Sequence, residues 1–358
     1  MRGLVTYERT VYECPRTRRQ VVPLDEELGL ECGAKMTREV ISKVAWAGSR
    51  SAYSAAAEDL RRLAGIEVSR AEFARVINEE GGRVGALQEE REERWSEPVA
   101  SERPVFAAER ACERLVMEAD ATAVLTVAGE EHKMVWCARA YDAADRYEKG
   151  GHKMLSGPSR FAASGNSLEE FKHSVDALAN RMGARSARAI AFVADGAPCL
   201  WKMASERLPR AVLIQDFWHV CEHLFALARV LYGEGSPQAK EKAERWKRML
   251  HDGAVEEIIE ELGELRKTHR RERRKCLGEK IRYLEEGKHR MNYPRYRAEG
   301  WPMGSGAVEA TCKHLIKERL GVTGARWRRG NIPAIVALRL CRANEEWDQD
   351  FPPMAKTA

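Results

Sequence analysis

The chain lacks several features that would place it at once. None of its apolar runs approaches the roughly 18 residues that a membrane-spanning helix needs, so no membrane partner is expected. Its opening residues, Met-Arg-Gly-Leu-Val-Thr-Tyr-Glu, contain no apolar core of a secretory signal, and a cytoplasmic location is the expectation. No two of its nine cysteines form a Cys-x-x-Cys pair. That absence argues against a closed zinc knuckle and, without an export signal, for reduced thiols. Cys14-Pro15 and Cys32-Gly33 each look like half of a knuckle, so residues 1–35 read as a degenerate zinc-ribbon-like segment. A large excess of one charge is missing too: 60 basic residues stand against 55 acidic ones.

What is present is 358 residues, 44% of them hydrophobic and 32% charged, enough for a globular protein of two or three domains. The charge is clustered. Seven basic residues crowd Arg266 to Lys275, and others follow at Lys313, Lys317, Arg319, Arg326, Arg328 and Arg329. Local basic patches on a nearly balanced chain fit a phosphate-backbone partner, and they also fit solvated helix faces.

Periodicity divides the chain. Residues 36–105 read as short helices and a linker, with breaks expected at Gly48-Ser49, Gly65 and Gly81. Ser69 with Glu72 forms a capping-box pattern. Three short helices with Arg70 and Arg75 on a polar face suit a helix-turn-helix DNA reader, or equally an ordinary helical bundle. Residues 106–235 begin with two β-prone runs, Arg114 to Val127 and Lys133 to Tyr141, joined by Gly129-Glu130-Glu131 as a hairpin. Strand–helix–strand units follow, so the expected fold class is α/β with a mixed sheet. Residues 236–292 are helical and highly charged, and residues 293–358 return to helices.

Three carboxylates stand out. Asp120 and Asp195 each close a β-type apolar run, and Glu309 opens a helix after Gly304-Ser305-Gly306. A glycine-bounded helix start lets backbone amides approach a phosphate. Acids from distant elements can hold two Mg²⁺ (or Mn²⁺) ions for phosphoryl transfer. A second cluster, Asp216-Phe217-Trp218-His219-Val220-Cys221-Glu222-His223, places His219, Glu222 and His223 on one helical face. There His219 is expected to orient a phosphate or water, and Asp216 to orient His219.

These segments carry a resemblance. Val22-Pro23-Leu24-Asp25-Glu26 with Leu28-Gly29-Leu30, then Glu118-Ala119-Asp120, Ala194-Asp195-Gly196-Ala197, Asp216-Phe217-Trp218-His219 and the Tyr293 to Glu309 run follow one another in order. In them the chain resembles bacterial insertion-sequence transposases of the ISKra type, in the wider group related to Mutator-like elements. The resemblance implies a ribonuclease-H-like core with an Asp-Asp-Glu triad of metal ligands at Asp120, Asp195 and Glu309. It matches Asp216-x-x-His219 to a motif between the second and third acids, and residues 236–292 to a helical insertion within the core. It further implies cleavage at double-stranded DNA element ends, strand transfer to target DNA, a nucleoid-associated location and a homodimer or larger assembly. Arg70, Arg75, Arg270, Arg271, Arg274, Lys313, Arg326 and Arg328 are the expected DNA contacts. Two alternatives stay open: a decayed transposase-derived DNA-binding protein, or another ribonuclease-H-like nuclease. The sequence departs from the family pattern at Asp120-Ala121-Thr122, where Asp-Gly-Thr is usual.

Overall fold

Side-chain caps start the helices where short polar residues precede apolar periodicity. Thr37 accepts from the Val40 amide, Ser69 from Glu72, Ser167 from Glu170 and Ser236 from Ala239. A computed structural model describes residues 8–18, 20–27, 36–149, 152–155 and 157–352. Cys32 and the Leu28-Gly29-Leu30 segment lie outside the described residues.

The described chain opens with a small hairpin, β1 (Tyr12–Glu13) and β2 (Gln20–Val21), and a helical turn, α1 (Pro23–Glu27). Three helices follow: α2 (Arg38–Arg50), α3 (Tyr53–Ala64) and α4 (Arg70–Glu93). Next come β3 (Arg114–Val124), β4 (Lys133–Asp142), a side hairpin of β5 (Arg146–Lys149) and β6 (His152–Leu155), and β7 (Arg160–Ser164). Then α5 (Leu168–Arg181), β8 (Ala189–Ala194), α6 (Pro198–Arg207) and β9 (Ala211–Gln215) alternate. The helices α7 (Phe217–Tyr232), α8 (Pro237–His251), α9 (Val255–Thr268) and α10 (Arg271–Gly287) lead to α11 (Tyr293–Ala298). Last are α12 (Gly306–Thr311), a π-helical turn over Cys312–Lys317, α13 (Glu318–Leu320), α14 (Ile332–Ala343) and α15 (Trp347–Asp350). Among the described residues no helix is long and apolar enough to cross a membrane.

The main sheet is mixed, with strand order β7-β4-β3-β8-β9. β3, β4 and β7 are antiparallel neighbours, while β3, β8 and β9 run parallel. Strand alternation sorts its two faces. Val116, Val193 and Ile214 face a core built with α7 to α11, whereas Met117, Phe192 and Ala194 face one built with α5 and α6. The helical stretch between β9 and α12 is thus part of one face's core, with Trp246, Leu262 and Leu284 buried in it. The hairpin, the mixed sheet and the helical stretch agree with the sequence expectation.

Two glycine readings are corrected. Gly48 and Gly81 were expected to end helices, yet α2 runs on to Arg50 and α4 to Glu93. Both glycines serve close packing instead. A Cβ on Gly48 would meet Phe73 and Ile77 at 3.0 Å, and one on Gly81 would stand 2.4 Å from the Ala334 carbonyl oxygen. The backbones of α4 and α14 therefore touch at Gly81. Consequently the N-terminal helices do not have a core to themselves. Val44, Phe73 and Ile77 share one apolar cluster with Ile316, Ile335 and Leu338 from near the C-terminus. Gly65 does end its helix, in the left-handed conformation at φ 64°.

This packing predicts opposite effects at adjacent glycines of α4. Gly81→Ala should lower stability by about 1–3 kcal/mol through overpacking against Ala334. Gly82→Ala, exposed with nothing within 4 Å of its Cβ, should leave stability unchanged or raise it by up to about 1 kcal/mol. Urea denaturation midpoints of the two variants check this.

Candidate active site

Parallel register assembles most of the site. β3 and β8 pair through Glu118↔Val193, and β8 and β9 through Ala194↔Gln215. Continuing those rungs brings Asp120, Asp195 and Asp216 level and on one face: Asp195 and Asp216 directly follow the carboxyl ends of β8 and β9, whereas Asp120, expected to close its run, lies within β3, which stays paired with β4 as far as Val124. In α/β sheets that edge is where ligands bind.

Glu309 reaches the same edge through two buried carboxylates. Glu118, two residues before Asp120 and on the same face of β3, accepts from the Tyr141 hydroxyl at 2.6 Å and from the Val308 amide at 2.8 Å. Burial pushes its carboxyl up to about 7, opposed by those two donors. Asp216 is 1% exposed and its two oxygens are divided between two elements. One oxygen accepts from the Trp218 and His219 amides, capping α7. The other accepts from the Ser305 amide at 2.7 Å and from the Ser305 hydroxyl. The segment carrying Glu309 is thereby fastened to β3 on one side and to the β9–α7 junction on the other.

Two expectations change here. The amides of Ser305 and Val308 are bonded to protein carboxylates, so these two are not open to a phosphate. Gly304 provides room rather than an anion nest, since a Cβ there would stand 2.8 Å from Trp218 Cδ1. Asp216, for its part, holds the His219 backbone amide and not the His219 ring.

The His219 ring belongs to a different chain of contacts. Lys280 Nζ, on α10, lies 2.6 Å from His223 Nδ1. An ammonium can only donate, so His223 accepts at Nδ1 and carries its proton on Nε2. That proton points to His219 Nε2, 3.2 Å away. His219 then carries its own proton on Nδ1, which faces Glu222 at 3.5 Å. Burial, and then the Lys280 charge, push His223 down to about 4, in keeping with a neutral ring. Tyr283 packs against His223 with ring centroids 4.3 Å apart, and its hydroxyl lies 3.5 Å from the Asp195 carbonyl oxygen. Helix α10 therefore supplies two side chains that sequence reasoning did not single out. They belonged to a charged helix with no motif; only packing reveals them.

The acids interact. Burial raises the Asp120 carboxyl, as does the Asp195 charge, while the Cys312 thiol, the Ala121 amide and Lys317 pull it down. Glu309 is exposed as a residue, yet its carboxyl is raised by partial burial and then by Asp216, Asp120 and Glu222, with His219 opposing. Asp195 is half-buried; its Oδ1 accepts from the Ala197 amide at 3.1 Å. The next residue, Gly196, sits at φ 123°, where its missing Cβ also leaves room for Gln215 and Tyr283. Among the described residues, no three His, Cys, Asp or Glu side chains converge into a group that could hold a metal ion as they stand.

The expected DNA contacts divide by position. Lys313 is exposed one helical turn after Glu309. Arg326 and Arg328 are exposed on either side of Trp327, which bridges to Thr126 just beyond the end of β3. Arg270, Arg271 and Arg274 are exposed at the start of α10, roughly 9–15 Å along that helix from Lys280 at about 1.5 Å per residue. Arg70 and Arg75 are exposed at the start of α4, and Arg75 is engaged by Glu72 and Glu79.

No family model and no curated protein matches this chain. Among solved structures it is similar to the Drosophila P element transposase strand transfer complex, with 11% sequence identity and a TM-score of 0.38 over 88% of this chain and 93% of that chain.

The clamp gives a stability prediction. Asp216→Ala should cost about 1.5–5 kcal/mol, combining removal of a helix cap at ~0.5–2 with unsatisfied buried donors at ~1–3. Asp216→Asn keeps one acceptor oxygen, enough for α7 or Ser305 but not both, and should fall between. Chemical denaturation ranks the three proteins.

Proposed function

We propose that this chain is a DNA transposase with a ribonuclease-H-like core, which hydrolyses a phosphodiester at each element end and joins the freed 3′-hydroxyl to target DNA. The observation that carries this reading is the level register of Asp120 and Asp195 on neighbouring parallel strands, with Glu309 tied to the same edge through Val308 and Ser305. The resemblance in the order of those acidic motifs supports it too.

The donor set fits hard divalent cations. Asp120, Asp195 and Glu309 offer only oxygen ligands; burial raises the Asp120 and Glu309 carboxyls first, and neighbouring carboxylates add a repulsion that a bound cation relieves. Two Mg²⁺ (or Mn²⁺) ions held there would supply Lewis-acid activation of the attacking oxygen and charge stabilisation of the leaving one. The chain's own residues do the positioning. Glu118 and Asp216 fix where Glu309 stands. His219, half-buried with its proton on Nδ1, orients a phosphate or water at the rim. Arg270, Arg271, Arg274, Lys313, Arg326 and Arg328 hold backbone phosphates, which positions DNA without reading sequence. The helices over residues 38–93, with Arg70 and Arg75, read the terminal repeats. Pairing two ends calls for a homodimer or larger assembly.

The test is Mg²⁺-dependent cleavage of an end-containing DNA by wild type, Asp120→Asn, Asp195→Asn and Glu309→Gln. Each substitution should reduce the rate by more than the roughly 10–100-fold that loss of a metal site's outer partner costs. A substitution that leaves the rate untouched removes that residue from the ligand set. Strand-transfer products distinguish a transposase from a nuclease that only cuts.

A further inference from the structure

A cavity of about 410 Å³ opens beside the segment that carries Glu309. Its wall includes Ala310 and Thr311, next in the chain to Glu309, and the π-helical turn after them. Such turns recur at functional sites. The charged lining is one-sided: Arg50, Arg139, Arg339 and Arg342 with His314, against Glu318 alone.

These arginines are of two kinds. Arg339 is buried and committed. Its guanidinium donates to the carbonyls of Leu315 and Ser49 at 2.6 Å and to that of His314, with Glu318 at 3.5 Å. Arg139 is committed as well, to Ser159 Oγ at 3.0 Å and the Ala307 carbonyl at 3.3 Å. Arg50 and Arg342 are not. Arg50, the last residue of α2, is exposed and makes no side-chain hydrogen bond or ion pair among the described residues. The Arg342 guanidinium carbon lies over Trp46, 4.4 Å from the ring centroid, and its Nε is buried without a hydrogen-bond partner. A buried guanidinium N–H without an acceptor costs free energy that an incoming anion recovers. Burial, and then repulsion from Arg50, lower the Arg342 guanidinium.

We infer that this arginine-lined cavity binds a phosphodiester of the DNA backbone, with Arg50 and Arg342 as its donors and Arg139 and Arg339 as fixed positive charge. The chemistry selects a phosphate-type anion, since planar guanidinium forks match its oxygens. Its place, where α2 meets the Glu309 segment and α14, would couple DNA held by the N-terminal helices to the position of Glu309. Assignment to DNA, as opposed to a free anion, rests on the proposed function; the anion site itself does not.

The experiment measures the salt dependence of binding of the full chain to a random-sequence duplex, for wild type and for Arg50→Gln/Arg342→Gln. The magnitude of the log–log salt slope should drop by about 0.9, the contribution of the one phosphate that is no longer neutralised. An exposed control, Arg188→Gln, which faces Glu113 at 3.6 Å outside the cavity, should leave the slope in place. A folded double variant with an unchanged slope overturns the inference. Should the double variant fail to fold, Arg50→Glu alone, at an exposed unpaired helix end, must lower the slope. Inorganic phosphate separates the two sources. If it raises the melting temperature of wild type and not of the variant while the duplex slope is unchanged, the site holds a free anion and the DNA assignment is overturned. The same slopes measured on Asp120→Asn keep this result independent of cleavage: a cavity that fails leaves the triad test standing, and the reverse holds.

Discussion

A buried carboxylate must find donors, and in this protein two of them find those donors in the same short segment. Glu118 and Asp216 are almost fully shielded from water. An isolated buried charge costs many kcal/mol, so each must be satisfied by hydrogen bonds to count as stabilising. Glu118 takes the Val308 amide and Asp216 takes Ser305. Everything between Met303 and Glu309 is thereby fixed relative to the strand ends. Were either acid absent, Glu309 would sit on a six-residue helix with few constraints of its own.

The rest of the architecture serves that junction from two sides. On one side, glycines let helices approach until their backbones meet, as Gly81 of α4 does at Ala334 of α14. The N-terminal helices thereby join the core that also supports the π-helical turn after Glu309. On the other side, the long helical stretch after α7 folds back onto the sheet. It buries Trp246 and Leu284 and sends Lys280 and Tyr283 to the histidines of α7. That stretch separates Glu309 from the two aspartates in sequence while packing beside them in space.

Much of this was legible in the residues. The hairpin of β3 and β4, the strands ending at Asp195 and Asp216, and the capped starts of α4 and α5 follow from alternation and from Ser and Asp at helix starts. Glu118 was visible as an acid inside an apolar strand, in phase with Asp120, although nothing local said what it would hold. The glycines misled, because a helix-breaking residue and a close-packing residue are the same residue when seen without a partner. The Gly304-Ser305-Gly306 run misled likewise: it reads as a phosphate cradle, and the two amides that would serve are taken by Asp216 and Glu118. Lys280 and Tyr283 carried no signal, being ordinary members of a charged helix, and Arg50 and Arg342 read only as basic residues in the last turns of α2 and α14.

By itself the sequence determined which elements form and which residues can carry charge to a strand end, since both depend on interactions within a few residues. It also set the order of the acids along the chain. Tertiary structure alone decided which amides the buried carboxylates would take, which glycines would face another backbone, and which arginines would be left without a partner. Each of those outcomes depends on groups far apart in the chain competing for the same donor, the same space or the same acceptor, and that competition is resolved only when the elements pack.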